Sequence, residues 1–203
     1  MFKKIIALLI FSLAAYLSIK TLMPQDNFID SPTNSEFSNT KAFKHVQNLG
    51  GDAHAVGADA HENASDYIIK ELEKLGLEVQ TQEGNSFSDW GTFAKVKNIA
   101  ARIKGTDNSK ALVLMSHYDS AGHSSKGASD AASGVATVLE GIRAFIAKET
   151  AHKNDIIILF TDGEELGLNG ARLFVKEHPW TKDIGLIFNF EARGSGGPSF
   201  TLV

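Results

Sequence analysis

His117 and Asp119 stand two residues apart at the end of the apolar run ALVLM, and a stretch of small residues then leads to Gly127, Ala128, Ser129 and Asp130. Two more apolar runs finish in the same manner: DIIILF leads into Asp162, Glu164 and Glu165, and GLIFNF leads into Glu191. Singly, each residue has an ordinary use. Asp130 can cap a helix, Glu164 and Glu165 can lie in a solvated turn, Asp119 suits a turn, Glu191 suits a solvated strand end, and His117 can be a satisfied buried histidine. Together they crowd carboxylates into one place, and such groups repel one another unless they are protonated or held by a cation. The histidine adds a ligand that zinc favours, although the same donors suit manganese or cobalt.

Two adjacent metals need a bridging carboxylate, terminal ligands on each side and an acidified water between them. One allocation makes Asp130 the bridge, gives His117 and Glu191 to one ion and Glu165 to the other, and leaves Glu164 as general base. Asp119 then accepts the second imidazole N–H of His117 and fixes its tautomer; Glu164 and Asp119 form the catalytic pair. The small residues from Gly127 to Gly134 let the backbone come close to the metals. There is no cysteine, so any metal rests on His, Asp and Glu, and thiolate sites and cysteine nucleophiles are excluded. Ser120, Ser124, Ser125 and Ser129 lie near by, but none sits in a GxSxG elbow. Asn63-Ala64-Ser65 matches a glycosylation acceptor, and its place near a helix start suggests a cap.

The elements that must position these groups can be read from periodicity. AFKHVQNL and ENASDYIIKELEKLG have helical spacing, with Tyr67, Ile68, Leu72 and Leu75 on one face and Gly76 as a stop. LEVQTQE, VKNIAARI, ALVLMS, DIIILFT and GLIFNFE read as strands, and the last three are apolar enough to be covered on both faces. AASGVATVLEGIRAFIAKE and GLNGARLFVKEH read as helices between them, so crossovers and a largely parallel core are expected, in the α/β class. In an open sheet of this kind, ligands bind beyond the carboxyl ends of the strands, where the acids and His117 fall.

The chain has 203 residues, 43% hydrophobic and 22% charged, with a formal net charge of −4. This is ordinary composition for one folded domain, and scattered Lys and Arg give no nucleic-acid surface. Lys3 and Lys4 precede a mainly apolar run from Ile5 to Ile19, which reads as an uncleaved signal anchor or a secretory signal. Residues 1–23 are assigned to that membrane helix, 24–40 (polar, with Ser, Asn, Thr, Asp and Pro) to a linker, and 41–203 to the folded domain. The two lysines place the N-terminus in the cytoplasm and the domain on the extracytoplasmic side, in the periplasm, outside the cell or in a lumen. Cleavage of the N-terminal segment would make it a secreted protein.

In order along the chain, HxD, GASD, DGEE with GLNGAR, and NFEARG resemble the zinc aminopeptidases of metallopeptidase family 28. HAVG at 54–57 and the NASDYIIKELEKLGLEV stretch are similar to that family's opening helices. Glu191 followed by ARGSGGPS resembles its membrane-attached branch, which includes endoplasmic-reticulum and vacuolar membrane proteases. The resemblance implies a three-layer α/β/α fold with a mixed, largely parallel sheet, two zinc ions per complete site, a peptide substrate and the roles allocated above. Relatives carry a further histidine ligand beyond NFEARG; the strand-like PSFTLV runs to Val203 with no turn after it, so the expectation is a piece of a longer protein. His123 and His178 match no ligand position and are read as surface residues. A catalytically inactive anchored binding domain, or a related two-metal carboxypeptidase or aminoacylase, remains open, and the oligomeric state is not read from sequence.

Overall fold

A computed structural model describes residues 2–23, 33–107, 110–192 and 194; PSFTLV lies outside them. The chain forms two compact units, Met1–Phe28 with Gly194–Val203, and Ile29–Arg193. The first contains helix α1 (Phe2–Leu22), whose residues Phe2–Thr21 have a mean hydropathy of 1.9 and are long and apolar enough to cross a membrane.

The second unit runs α2 (Asn39–Leu49), α3 (Asp59–Lys74), β1 (Val79–Phe87), β2 (Phe93–Ile103), β3 (Ala111–His117), α4 (Ala132–Ala147), β4 (Ile156–Thr161), α5 (Asn169–Glu177), a short 3-10 helix (Pro179–Asp183) and β5 (Ile184–Asn189). The strands lie in the order β1-β2-β4-β3-β5. β4, β3 and β5 are parallel, while β1 and β2 pair antiparallel with their neighbours, so the expected α/β class holds with a mixed sheet.

Period-two alternation on β4 builds the layers. Ile156, Ile158 and Phe160 face the cluster of Val135, Val138, Leu139 and Ile142 from α4 with Ile68 and Leu72 from α3. Ile157 and Leu159 face the other way, to Val113 and to Phe174 of α5. All six residues of β4 are buried, as their Ile-rich run implies. β5 corrects the expectation for its run: among the described residues it is an edge strand, and Leu186, Ile187 and Phe188 are exposed.

The folded unit reaches further toward the N-terminus than Lys41. Glu140 of α4 is fully buried, and its carboxylate accepts the Ser38 N–H at 2.8 Å and the Arg143 Nε–H at 2.6 Å. Arg143 also donates to the carbonyls of Glu36, at 2.7 Å, and Asn34. Residues 34–38, polar in composition, are therefore clasped to α4. Helix α3 starts after an Ala58 cap, so Asn63 is an exposed residue inside the helix and not a cap.

Candidate metal centre

Strand register gathers the chemistry. β3 and β4 run parallel with His117 opposite Thr161, which sets His117 level with the turn that starts at Asp162. β5 lies on the other side of β3, and the Phe190 N–H donates to the Met115 carbonyl at 2.8 Å, so Glu191 emerges beside His117. α4 packs tightly over the same end. A Cβ on Gly134 would lie 2.4 Å from Ser116 Oγ and 2.6 Å from the Phe190 carbonyl, and only glycine permits this approach. The approach brings Asp130, just before α4, over the ends of β3 and β5. The cap position belongs to Ala131, which makes no side-chain capping bond, so capping does not account for Asp130.

His117 is the hub. Its Nε2 lies 2.9 Å from Asp130 Oδ1, 3.5 Å from Glu191 Oε1 and 4.0 Å from Glu164 Oε2. Two sets of ligand atoms come within 4.8 Å of one another: His117 with Asp130 and Glu191, and His117 with Glu164 and Glu165. The imidazole is buried, whereas Asp130, Glu164 and Glu191 keep partial access to solvent. Five of the six expected residues thus meet at one rim, with Asp119 below it.

Asp119 is wholly buried beneath them and does more than orient the imidazole. His117 Nδ1 hydrogen-bonds to the main-chain carbonyl of Asp119 at 3.0 Å and lies 3.4 Å from its Oδ1. The carboxylate accepts the N–H of Glu164 at 3.0 Å and that of Glu165 at 3.2 Å, so Asp119 fixes the turn that carries both glutamates.

The electrostatics follow from this crowding. Burial pushes the His117 imidazole down, but its bonds to Asp119 and Glu191 and their negative charge overturn that and lift it to about 11. Burial raises Glu164, with Glu191, Asp119 and Asp130 adding to the rise and His117 opposing it. Glu165 is raised by burial and then by Asp130. Burial also works against the Glu191 anion, yet the His117 bond and the Ala192 N–H hold it below the ordinary range.

Among the described residues, no Lys or Arg forms an ion pair with Asp119, Asp130, Glu164, Glu165 or Glu191; their only cationic partner is His117. The opposite end of β4 differs, since buried Asp155 there is held by Arg102 at 2.6 Å and Lys104 at 3.1 Å. One imidazole among several unneutralised carboxylates is a donor set suited to divalent cations of the zinc type, so the residues fit such an ion.

His178 is not the surface residue expected. It is buried, stacks on Phe174 with ring centroids 4.4 Å apart and accepts the Trp180 N–H at 3.3 Å; its pKa is lowered by burial. His123 is exposed. Periodicity also gave no role to His61, whose Nε2 lies 2.8 Å from Asp162 Oδ1. It shares a helix face with Ser65, Ile68 and Leu72, which is the signal that could have shown its burial, but the partner lies 101 residues away and no spacing pairs them.

A family model described as Peptidase family M28 matches residues 98–202. A vacuolar membrane protease of Candida dubliniensis is 32% identical over 205 residues, covering 95% of this chain and 21% of that protein. The chain thus spans about a fifth of the length of that curated relative. A glutaminyl cyclase structure from Porphyromonas gingivalis is similar with a TM-score of 0.63 and 25% identity, covering 70% of this chain and 54% of that one. A Zn-dependent exopeptidase from Parabacteroides distasonis shares the fold with a TM-score of 0.63 at 23% identity, covering 77% of this chain and 61% of that one.

Proposed function

This chain belongs to peptidase family M28, and on that premise we propose that it carries the hydrolytic domain of a membrane-attached, two-zinc exopeptidase of aminopeptidase type. The observation that carries the reading is the meeting of His117 with Asp130, Glu191 and Glu164 at 2.9–4.0 Å with no Lys or Arg neutralising them among the described residues. His117 and Glu191 would hold one ion, Glu165 the other, and Asp130 would bridge. Bound zinc supplies Lewis acidity, which acidifies water and polarises a carbonyl.

The chain's own groups do the rest. Glu164, raised by burial, takes a proton from the attacking water and passes it to the leaving amine, a role typically worth about 10²–10⁴-fold. The Asp119 carboxylate keeps Glu164 and Glu165 in place through their N–H groups, and its main-chain carbonyl accepts from His117 Nδ1. Residues 1–23 serve as the anchor, the polar stretch after it as a short linker, and the remainder to Val203 as the catalytic domain, on the extracytoplasmic side. The similarity to a vacuolar membrane protease supports the reading of a membrane-attached peptidase.

The test pairs elemental analysis with peptide hydrolysis for the full protein and its Glu164→Gln variant. The expected result is two zincs in both and turnover lost only in the variant. Loss of zinc together with turnover would make Glu164 a ligand. If the protein releases ammonia from peptides with N-terminal glutamine and hydrolyses none, its chemistry is that named for the structurally similar cyclase.

A further inference from the structure

His61 belongs to a closed circuit beneath the metal centre. Its Nε2 lies 2.8 Å from Asp162 Oδ1, and Asp162 Oδ2 accepts the Lys97 N–H at 2.8 Å. The Lys97 carbonyl accepts the Tyr118 hydroxyl at 2.8 Å, and the Tyr118 ring stacks on His61 with centroids 5.2 Å apart and planes 24° apart. The circuit closes through residues of α3, β2, the end of β3 and the end of β4. Tyr118 stands between His117 and Asp119, and Asp162 stands two residues before Glu164.

We propose that His61 is a positioning residue of the metal centre, setting the separation between the segment of His117 and Asp119 and the turn of Glu164 and Glu165. The inference rests on the metal site proposed above. Asp162 is almost wholly buried and among the described residues has no Lys or Arg side-chain partner, so His61 is the side chain that answers its charge. The imidazole is raised above its ordinary value: burial opposes the charged form, and the bond and charge of Asp162 overcome it. Fixed this way, Asp162 anchors the turn from below, through its side chain to β2 and through its carbonyl to the Gly170 N–H at 2.7 Å. Asp119 grips the same turn from the other segment. The two ligand-bearing segments are therefore joined at two levels, and His61 touches both of them at the lower one.

The experiment compares full-length protein with His61→Leu, His61→Gln and Tyr118→Phe, reading zinc affinity by competition with a chelating indicator, thermal stability of the metal-free protein, and kcat and KM on a peptide. The His61→Leu variant should bind zinc about tenfold or more weakly, the scale seen when groups that orient metal ligands are lost. Its kcat should fall with KM little changed. His61→Gln, which keeps an N–H for Asp162, should restore most of the affinity. If His61→Leu does not fold, Tyr118→Phe opens the circuit at one hydroxyl and should weaken zinc in the same direction. Lower thermal stability with zinc affinity and kcat intact would give His61 a structural role only and overturn the proposal. A wild type that binds zinc but cleaves no peptide would overturn the hydrolytic reading while the affinity comparison still decides the role of His61. A wild type that binds no zinc overturns both.

Discussion

The Asp119 carboxylate accepts the backbone N–H of Glu164 at 3.0 Å, joining residues 45 apart in the chain. Its second oxygen accepts from Glu165, so both carboxylate oxygens hold one turn. Asp119→Asn places an amide NH2 against one of those N–H groups. The expected outcome is a loss of about 10–100-fold in zinc affinity or kcat/KM, measured by metal titration and peptide hydrolysis, with a smaller change in KM.

Removal of metal should destabilise the domain. The carboxylates around His117 repel one another in its absence, and a ligand present at about 100 times its Kd stabilises by about 2.7 kcal/mol. Thermal unfolding with and without chelator should show a higher Tm with zinc, and Asp130→Ala should abolish the difference. An unchanged Tm on adding zinc to the wild type would contradict binding at this rim.

Gly134 can be tested by adding one carbon. Gly134→Ala would press on Ser116 Oγ and on the Phe190 carbonyl, next to Glu191. A cost of about 1–3 kcal/mol is expected from the overpacking, read by denaturant unfolding. Combining it with Ser116→Ala should recover only part, because the Phe190 backbone remains in the way.

Asp155 predicts the acid limb of stability. Burial disfavours its anion, but the Gly105 N–H, Lys104 and Arg102 overcome that and hold it at about 2, against an ordinary 3.8. A carboxylate lowered on folding stabilises above its unfolded value and loses that contribution as pH falls from about 4 to about 2. Asp155→Asn should lower stability at pH 7 and flatten the profile between those limits.

Much of the site was legible because its residues end apolar runs: the strand pattern of ALVLMS, DIIILFT and GLIFNF carries His117, Glu164, Glu165 and Glu191 to one rim by parallel register. Asp130 was legible as an acid at the start of the long helix; the small residues around it, read as room for metals, include Gly134, which α4 needs to approach Ser116 and Phe190. The hold of Asp119 on two backbone N–H groups was not, since side-chain spacing says nothing about main-chain partners. His61 was hidden for a related reason, its partner being set by packing of α3 against β2. Apolar content does not say which neighbours are present, so the run of Leu, Ile and Phe in β5 reads as covered on both faces while among the described residues it lies at the sheet edge. A turn-like EHPW likewise gave no sign of the stack of His178 on Phe174.

The clasp of Glu140 and Arg143 on residues 34–38 bears on how a soluble version of this domain is made. Trimming at Lys41, where composition suggests the fold starts, would strip the Ser38 N–H from a fully buried carboxylate and two carbonyl acceptors from Arg143. Glu140 would keep its bonds from Arg143, at 2.6 and 2.7 Å, but Arg143 would lose the two carbonyls that hold the entering chain. Expression should therefore begin ahead of Asn34, and a cleavable tag belongs on that side of the clasp.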